Sequence, residues 1–245
     1  MTNGTGSDVV GHFRTGFDAL KRYPLLTLAP LAAHLLLLVL ALLVWGGAVG
    51  MGAIMGAVMG GGPGAAAGGV AGFLAGGFLF VLLAGLLSLI ASGVVVLMAR
   101  DALAGREPAL GDALEAVLAR LLDVVVVAIL VTLIVVIGLL FLVLPGVAAA
   151  FFLIFAMPAV LLDGQPAVDA LRRSFTLVRD NLGVVAGLIL GCILVAAATG
   201  VVVAILGHVP LVGGLAAAVV NGVVIAYLTV VAVDVYQTLP RRPRR

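Results

Sequence analysis

Chemistry needs polar side chains that converge, and this sequence offers few. Three histidines, His12, His34 and His208, lie far apart along the chain. The single cysteine, Cys192, sits inside an apolar run, where a free cysteine is usually a small packing residue. No group of His, Cys, Asp and Glu has the spacing of a metal site, and no nucleophile stands beside a base. The cluster Gly60-Gly61-Gly62-Pro63-Gly64 has the glycines of a phosphate loop but no adjoining Lys-Ser/Thr pair. The expectation is a protein with no catalytic, cofactor-binding or metal-ligating set, and not an enzyme.

Two side chains, His34 and Asn221, are candidates for a polar role inside an apolar phase. An ionisable residue within a membrane is a functional candidate by default, here for transport or for carrying a proton. A neutral imidazole is also far cheaper to bury than a carboxylate. His34 could simply bond Ser88, Ser92, Thr132 or Asn221 on a neighbouring helix. Both readings stay open at this level.

The cations point to a different chemistry. Arg14, Lys21, Arg22, Arg172, Arg173, Arg179, Arg241 and Arg242 are candidate contacts for anionic lipid headgroups, each worth about 1 kcal/mol near a charged surface. The competing reading is a solvated face with pairs such as Asp169–Arg173 at i,i+4. The Arg241–Arg245 tail is too short, and too far from any soluble fold, to imply nucleic acid.

The elements that must position these residues are overwhelmingly apolar. Of 245 residues, 64% are hydrophobic and 10% charged, with a mean hydropathy of +1.37. A soluble domain carries about 25% charged residues, so lipid must be the solvent for most of this surface. The net charge of +2 says little about partners; its distribution says more. The first apolar run starts only at Leu25, behind Asp8, Phe13, Phe17 and Asp18, so no cleaved secretion signal is expected.

Six apolar runs are long enough, or nearly so, to cross a bilayer core of about 30 Å. They are Leu25–Val49, Val70–Met98, Val124–Leu144, Gly146–Leu162, Leu182–Leu206 and Leu215–Val233. Pro145-Gly146 reads as a tight turn between the third and fourth. Glycines recur every fourth residue at Gly52, Gly56, Gly60, then Gly68, Gly72, Gly76, and again at Gly183, Gly187, Gly191. That spacing puts each set on one helical face, where two helices can approach closely. The Gly50–Gly69 stretch reads as a hairpin whose arms press together near its tip, with a flexible loop as the alternative.

Three amphipathic segments interrupt the runs. The first, from Ser7 or Asp8 to about Tyr23, has Val9, Val10, Phe13, Phe17 and Leu20 on one face. The second, from about Leu110, has Leu114, Val117, Leu118 and Leu121. The third, Pro166–Asp180, has Val168, Leu171, Phe175 and Val178 opposite Asp169, Arg172, Arg173, Thr176 and Arg179. Each is too polar to span and suited to lie on a membrane surface. They overlay as HFRTGFDALKRYPLL, DALEAVLARLLDVVV and DALRRSFTLVRDNLG, each followed by two apolar runs. The chain therefore reads as one membrane domain, 1–245, with a threefold repeat of interfacial helix plus hairpin. The repeat units cover 7–98, 108–162 and 166–236, and a basic tail covers 237–245.

All Lys, Arg, Asp and Glu fall in segments 8–22, 100–123, 163–180 and 234–245. With six spans these share one side, and all 13 Lys and Arg lie there. The positive-inside rule makes that side, and both termini, cytoplasmic. The fold expected is all-α, a polytopic protein with six transmembrane helices and three cytoplasmic amphipathic helices, in a prokaryotic cytoplasmic membrane.

Leu144-Pro145-Gly146, Pro158-Ala159-Val160, and Ala170-Leu171-Arg172-Arg173-Ser174 leading through Asn181 carry a resemblance. The segment resembles the membrane domain attached to some bacterial glycerophosphodiester phosphodiesterases, and a wider group of six-span prokaryotic membrane proteins. The catalytic domain of such fusions has no counterpart here, so the resemblance implies the membrane module alone and no hydrolase activity. The functional expectation is a non-enzymatic module that organises membrane lipid, a membrane partner protein or a second copy of itself, without a cofactor. A small-molecule or ion transporter or channel is the alternative.

Overall fold

A computed structural model of the chain describes residues 5–206, 208 and 212–239, which are helical almost throughout, with no strand among them. The helices are α1 (Thr5–Arg22), α2 (Leu28–Leu103), α3 (Leu110–Ala119), α4 (Leu121–Phe141), α5 (Val143–Phe152), α6 (Ala156–Asp163), α7 (Ala167–Asp180), α8 (Leu182–Leu206) and α9 (Val212–Thr238). A 3-10 turn, Pro24–Thr27, joins α1 to α2 where Pro24 ends the first helix. Five segments are long and apolar enough to cross a membrane: Pro24–Leu103, Leu121–Phe141, Val143–Asp163, Leu182–Leu206 and Leu215–Thr238. The protein is an all-helical membrane protein.

Two compact units divide the chain. The smaller, Ala32–Ser88, is the middle of α2 folded back on itself. Helix geometry continues through the glycine-rich stretch except at Gly61, where φ is +63° and ψ is −146°. Only glycine takes that backbone readily, and the chain reverses there. The arms then run antiparallel, in a register the glycines permit. A Cβ added at Gly52 would run into the carbonyl of Gly68, and one at Gly56 into the carbonyl of Gly64. Gly72 faces the backbone of Ala48, and Gly76 faces Ala48 and Val44. A Cβ added at Gly60 would meet nothing within 4 Å among the described residues, so no close approach is seen at that position of the glycine series. Outward faces carry Met51, Ile54, Met55, Val58 and Met59, all exposed.

The larger unit, up to Leu31 and from Leu89 onward, holds the buried core. Its buried residues gather at the charge-bearing ends of the helices. They are Val94–Ala99 of α2, Val124 and Val127 of α4, Ala159 and Val160 of α6, Val185 and Leu188 of α8, and Val230–Tyr236 of α9. The opposite ends, such as Leu140–Leu144 and Ile193–Ile205, are largely exposed. For chains dissolved in lipid this is no defect, because lipid solvates a leucine as well as another leucine does.

Two expected features shift. Pro145-Gly146 is not the turn between α4 and α5. The chain reverses at Leu142, which is extended (φ −164°, ψ 142°). Pro145 lies in the first turn of α5, where its missing N–H has no intrahelical partner to lose. Gly146 instead lets α5 lie against α4, since a Cβ added at Gly138 would sit 2.8 Å from the Gly146 Cα. The expected single span Gly146–Leu162 is also two helices, α5 and α6, separated by a turn at Leu153–Phe155.

Candidate functional site

The broken span is where polar groups of distant sequence meet. Pro158 sits in the first turn of α6 and cannot donate to the carbonyl of Ile154, so one continuous helix through this point is disfavoured. Opening the helix frees backbone groups that lipid cannot satisfy. Ser174 of α7 takes them up. Its Oγ accepts from the Phe155 N–H at 3.1 Å and its hydroxyl donates to the Phe152 carbonyl at 2.8 Å. Ser174 is fully buried. It thus stands in for the missing turn of helix.

Tyr236 of α9 closes the other side. Its ring lies 5.5 Å from that of Phe155, and its hydroxyl donates to Asp163 Oδ2 at 2.6 Å. Arg173 approaches the same carboxylate oxygen at 3.8 Å. Gly164, with φ +66°, ends α6 in the left-handed conformation. Arg120 donates to the Val160 carbonyl at 3.4 Å, a cation at a helix C-terminus.

α7 has three faces, one more than its sequence suggests. Ala167, Ala170, Ser174, Leu177 and Val178 are buried against the bundle. Val168 and Phe175, expected with Leu171 and Val178 to form the one apolar face, are 54% and 44% exposed. Asp169, Arg172, Thr176 and Arg179 form the polar face. The same arrangement recurs. α3 buries Ala113 and Val117 and exposes Leu110, Leu114 and Leu118. α1 buries Gly16 and Ala19 and exposes Val10 and Phe17. In each helix several large hydrophobes point away from the protein.

An open groove of about 720 Å³ lies beside the break. Its apolar walls include Ile134 of α4, Pro145, Ala148 and Phe152 of α5, and Phe175 of α7. Arg172 and Thr176 are its polar edge. Arg172 is the one charged residue lining it. Thr176 Oγ1 donates to the backbone carbonyl of Arg172, one turn back.

The other expected headgroup cations are engaged differently. Lys21 lies 4.3 Å from the Phe17 ring and Arg22 5.6 Å from that of Tyr23. Arg173 reaches Asp163, and Arg179 pairs with Asp180 at 3.7 Å, so the anticipated Asp169–Arg173 pair does not form. Arg14 is exposed on α1. Arg241 and Arg242, with most of the basic tail, lie outside the described residues, as do Gly207 and Pro210.

The remaining candidates are placed as follows. His34 is half-buried in the smaller unit, and Asn221 is half-buried on α9. Gly187 and Gly191 receive α1, facing Val9 and Phe13, while a Cβ added at Gly183 would meet nothing within 4 Å among the described residues. His12, not singled out by its spacing, bonds Asp234 through Nδ1 at 2.6 Å and ties α1 to the end of α9. Tyr227 adds a bond to the Phe13 carbonyl at 3.0 Å. At the charged end of α2, past Met98, burial pushes the Asp101 carboxyl up. Hydrogen bonds from Arg106 and Arg100, with their charges, outweigh burial and hold it below 3.8.

Groups of three or more His, Cys, Asp and Glu able to hold a metal do not occur among the described residues. No protein-family description matches this chain, and no curated protein or solved structure shows significant similarity to it.

Proposed function

We propose that the chain is a non-enzymatic, six-span module of a prokaryotic cytoplasmic membrane, with both termini cytoplasmic, that organises lipid or a membrane partner around its charged end. The observation that carries this reading is the common build of α1, α3 and α7. Each buries one face, small residues among it, and leaves large hydrophobes exposed beside charged ones. A helix of that kind, fastened to a bundle on one side, offers its second apolar face to acyl chains and its polar face to headgroups. Counting the two arms of α2 on either side of Gly61 with the four later segments supports the six-span reading. The orientation rests on the charge map, and the resemblance to the phosphodiesterase-linked membrane domain rests on the motifs within Leu144–Leu190.

A transporter is the second reading, because discontinuous spans line substrate sites in many transporters and α5–α6 is discontinuous. The two freed backbone groups there bond Ser174. Reconstitution separates the two. Spin-labelled lipids should show a motionally restricted population enriched in anionic over zwitterionic headgroups, while solute and ion flux stays at the level of protein-free vesicles. Rapid flux without headgroup enrichment would favour transport and end the lipid-organising reading.

A further inference from the structure

Resting on the lipid-organising role proposed above, we infer that the groove between α4, α5 and α7 holds one anionic phospholipid, its phosphate on Arg172 and an acyl chain along α5. Three observations carry this.

The first is shape and chemistry. The groove measures about 720 Å³, within the range of ligand sites of about 300–1,000 Å³. Its wall runs from Pro145, in the first turn of α5, to Phe152 at its end, and every α4 and α5 residue in it is apolar. A helix rises 1.5 Å per residue, so that wall is about 10 Å long. Such a surface accepts methylenes and nothing polar.

The second is the position of the polar edge. Arg172 and Thr176 lie one turn apart on α7, on either side of Phe175, whose ring is 4.8 Å from that of Phe152 at the end of α5. An amphiphile has the same order, a charged head joined to an apolar tail.

The third is that Arg172 is uncommitted. Several other cations have carboxylates: Arg173 has Asp163, Arg179 has Asp180, and Arg100 and Arg106 share Asp101. The Arg172 guanidinium makes no ion pair among the described residues, and Asp169, one turn earlier, is exposed and outside the groove wall. A guanidinium presents paired donors that match phosphate oxygens. In a membrane the only abundant partner combining a phosphate with an acyl chain is a phospholipid. With no carboxylate in the wall, a headgroup of net negative charge is preferred over a zwitterionic one.

The test is native mass spectrometry of the full-length protein, released from bilayers of phosphatidylglycerol and phosphatidylcholine with identical chains. Wild type should retain one lipid, favouring phosphatidylglycerol by about five- to tenfold. Arg172→Gln should abolish that preference while lipid is still retained. Ala148→Phe, which places a ring in the groove at an exposed position, should abolish retention of both lipids. Arg106→Gln, a cation outside the groove wall, should change neither. Unchanged headgroup preference in Arg172→Gln, or unchanged retention in Ala148→Phe, overturns the site and leaves the broader module reading standing. No lipid retained by wild type overturns both.

Discussion

Replacing Ser174 with alanine removes one oxygen and adds nothing, so its consequence can be worked from two hydrogen bonds. The oxygen is fully buried and serves the Phe155 N–H at 3.1 Å and the Phe152 carbonyl at 2.8 Å. A buried group stranded without a partner costs about 1–3 kcal/mol, so two would cost about 2–6 kcal/mol if nothing moved. Partial rewinding of the Leu153–Phe155 turn recovers some of this, and about 3 kcal/mol is expected. Cys192 reports the equilibrium, being the only thiol and half-buried. Its labelling during an SDS titration in mixed micelles gives the stability of each variant. The account also predicts coupling to Pro158. In a Pro158→Ala background the helix can close, the Phe155 N–H can return to the Phe151 carbonyl, and Ser174→Ala should then cost less than about 1 kcal/mol. Equal costs in both backgrounds, or a Ser174→Ala variant within about 0.5 kcal/mol of wild type, would show that the serine does not replace a turn of helix.

Four further outcomes follow from the geometry. A Cβ at Gly69 would lie 3.8 Å from that of Ala53, the usual separation in a disulfide. Ala53→Cys/Gly69→Cys in a Cys192→Ala background should therefore cross-link on oxidation, and a loop lacking this register would not. Because its folded-state carboxyl is depressed, Asp101 contributes stability at pH above about 3.9 and loses it as pH falls through the depressed value. Asp101→Asn should remove that small acid-dependent increment, and an unchanged acid titration would contradict the assignment. Asp234→Ala strands the half-buried His12, so trypsin should cleave several-fold faster at Arg14, while cleavage at wild-type rate would mean that the pair does not hold α1. In intact cells, Gly62→Cys should react with an impermeant thiol reagent and Gly111→Cys only after permeabilisation; the reverse pattern would invert the orientation.

What the sequence alone determined was the solvent and the repeat of close approaches in α2. Its hydropathy leaves lipid as the only medium, and lipid leaves helix as the only way for an unclosed chain to satisfy its backbone. Glycines four apart at Gly52, Gly56, Gly68 and Gly72 announced a face for another backbone, and the nearest available backbone in the chain was the other arm. Which face of α1, α3 and α7 turns inward was decided only by the tertiary structure. In water the largest hydrophobes would mark the inside. In a membrane Val168 and Phe175 are equally well solvated by lipid, so hydrophobicity cannot choose. Each buried face includes small residues, Gly16, Ala113, Ala170 and Ser174, which allow close packing, and in α3 and α7 these stand beside the larger Val117, Leu177 and Val178. Pro158 stands in the fourth span of the sequence, yet that the span breaks there, and that a serine 16 residues later repairs it, was visible only in the folded chain. Arg172 could be named as a cation, yet its freedom depends on which carboxylates Arg173 and Arg179 reach, and only the folded chain brings those within range.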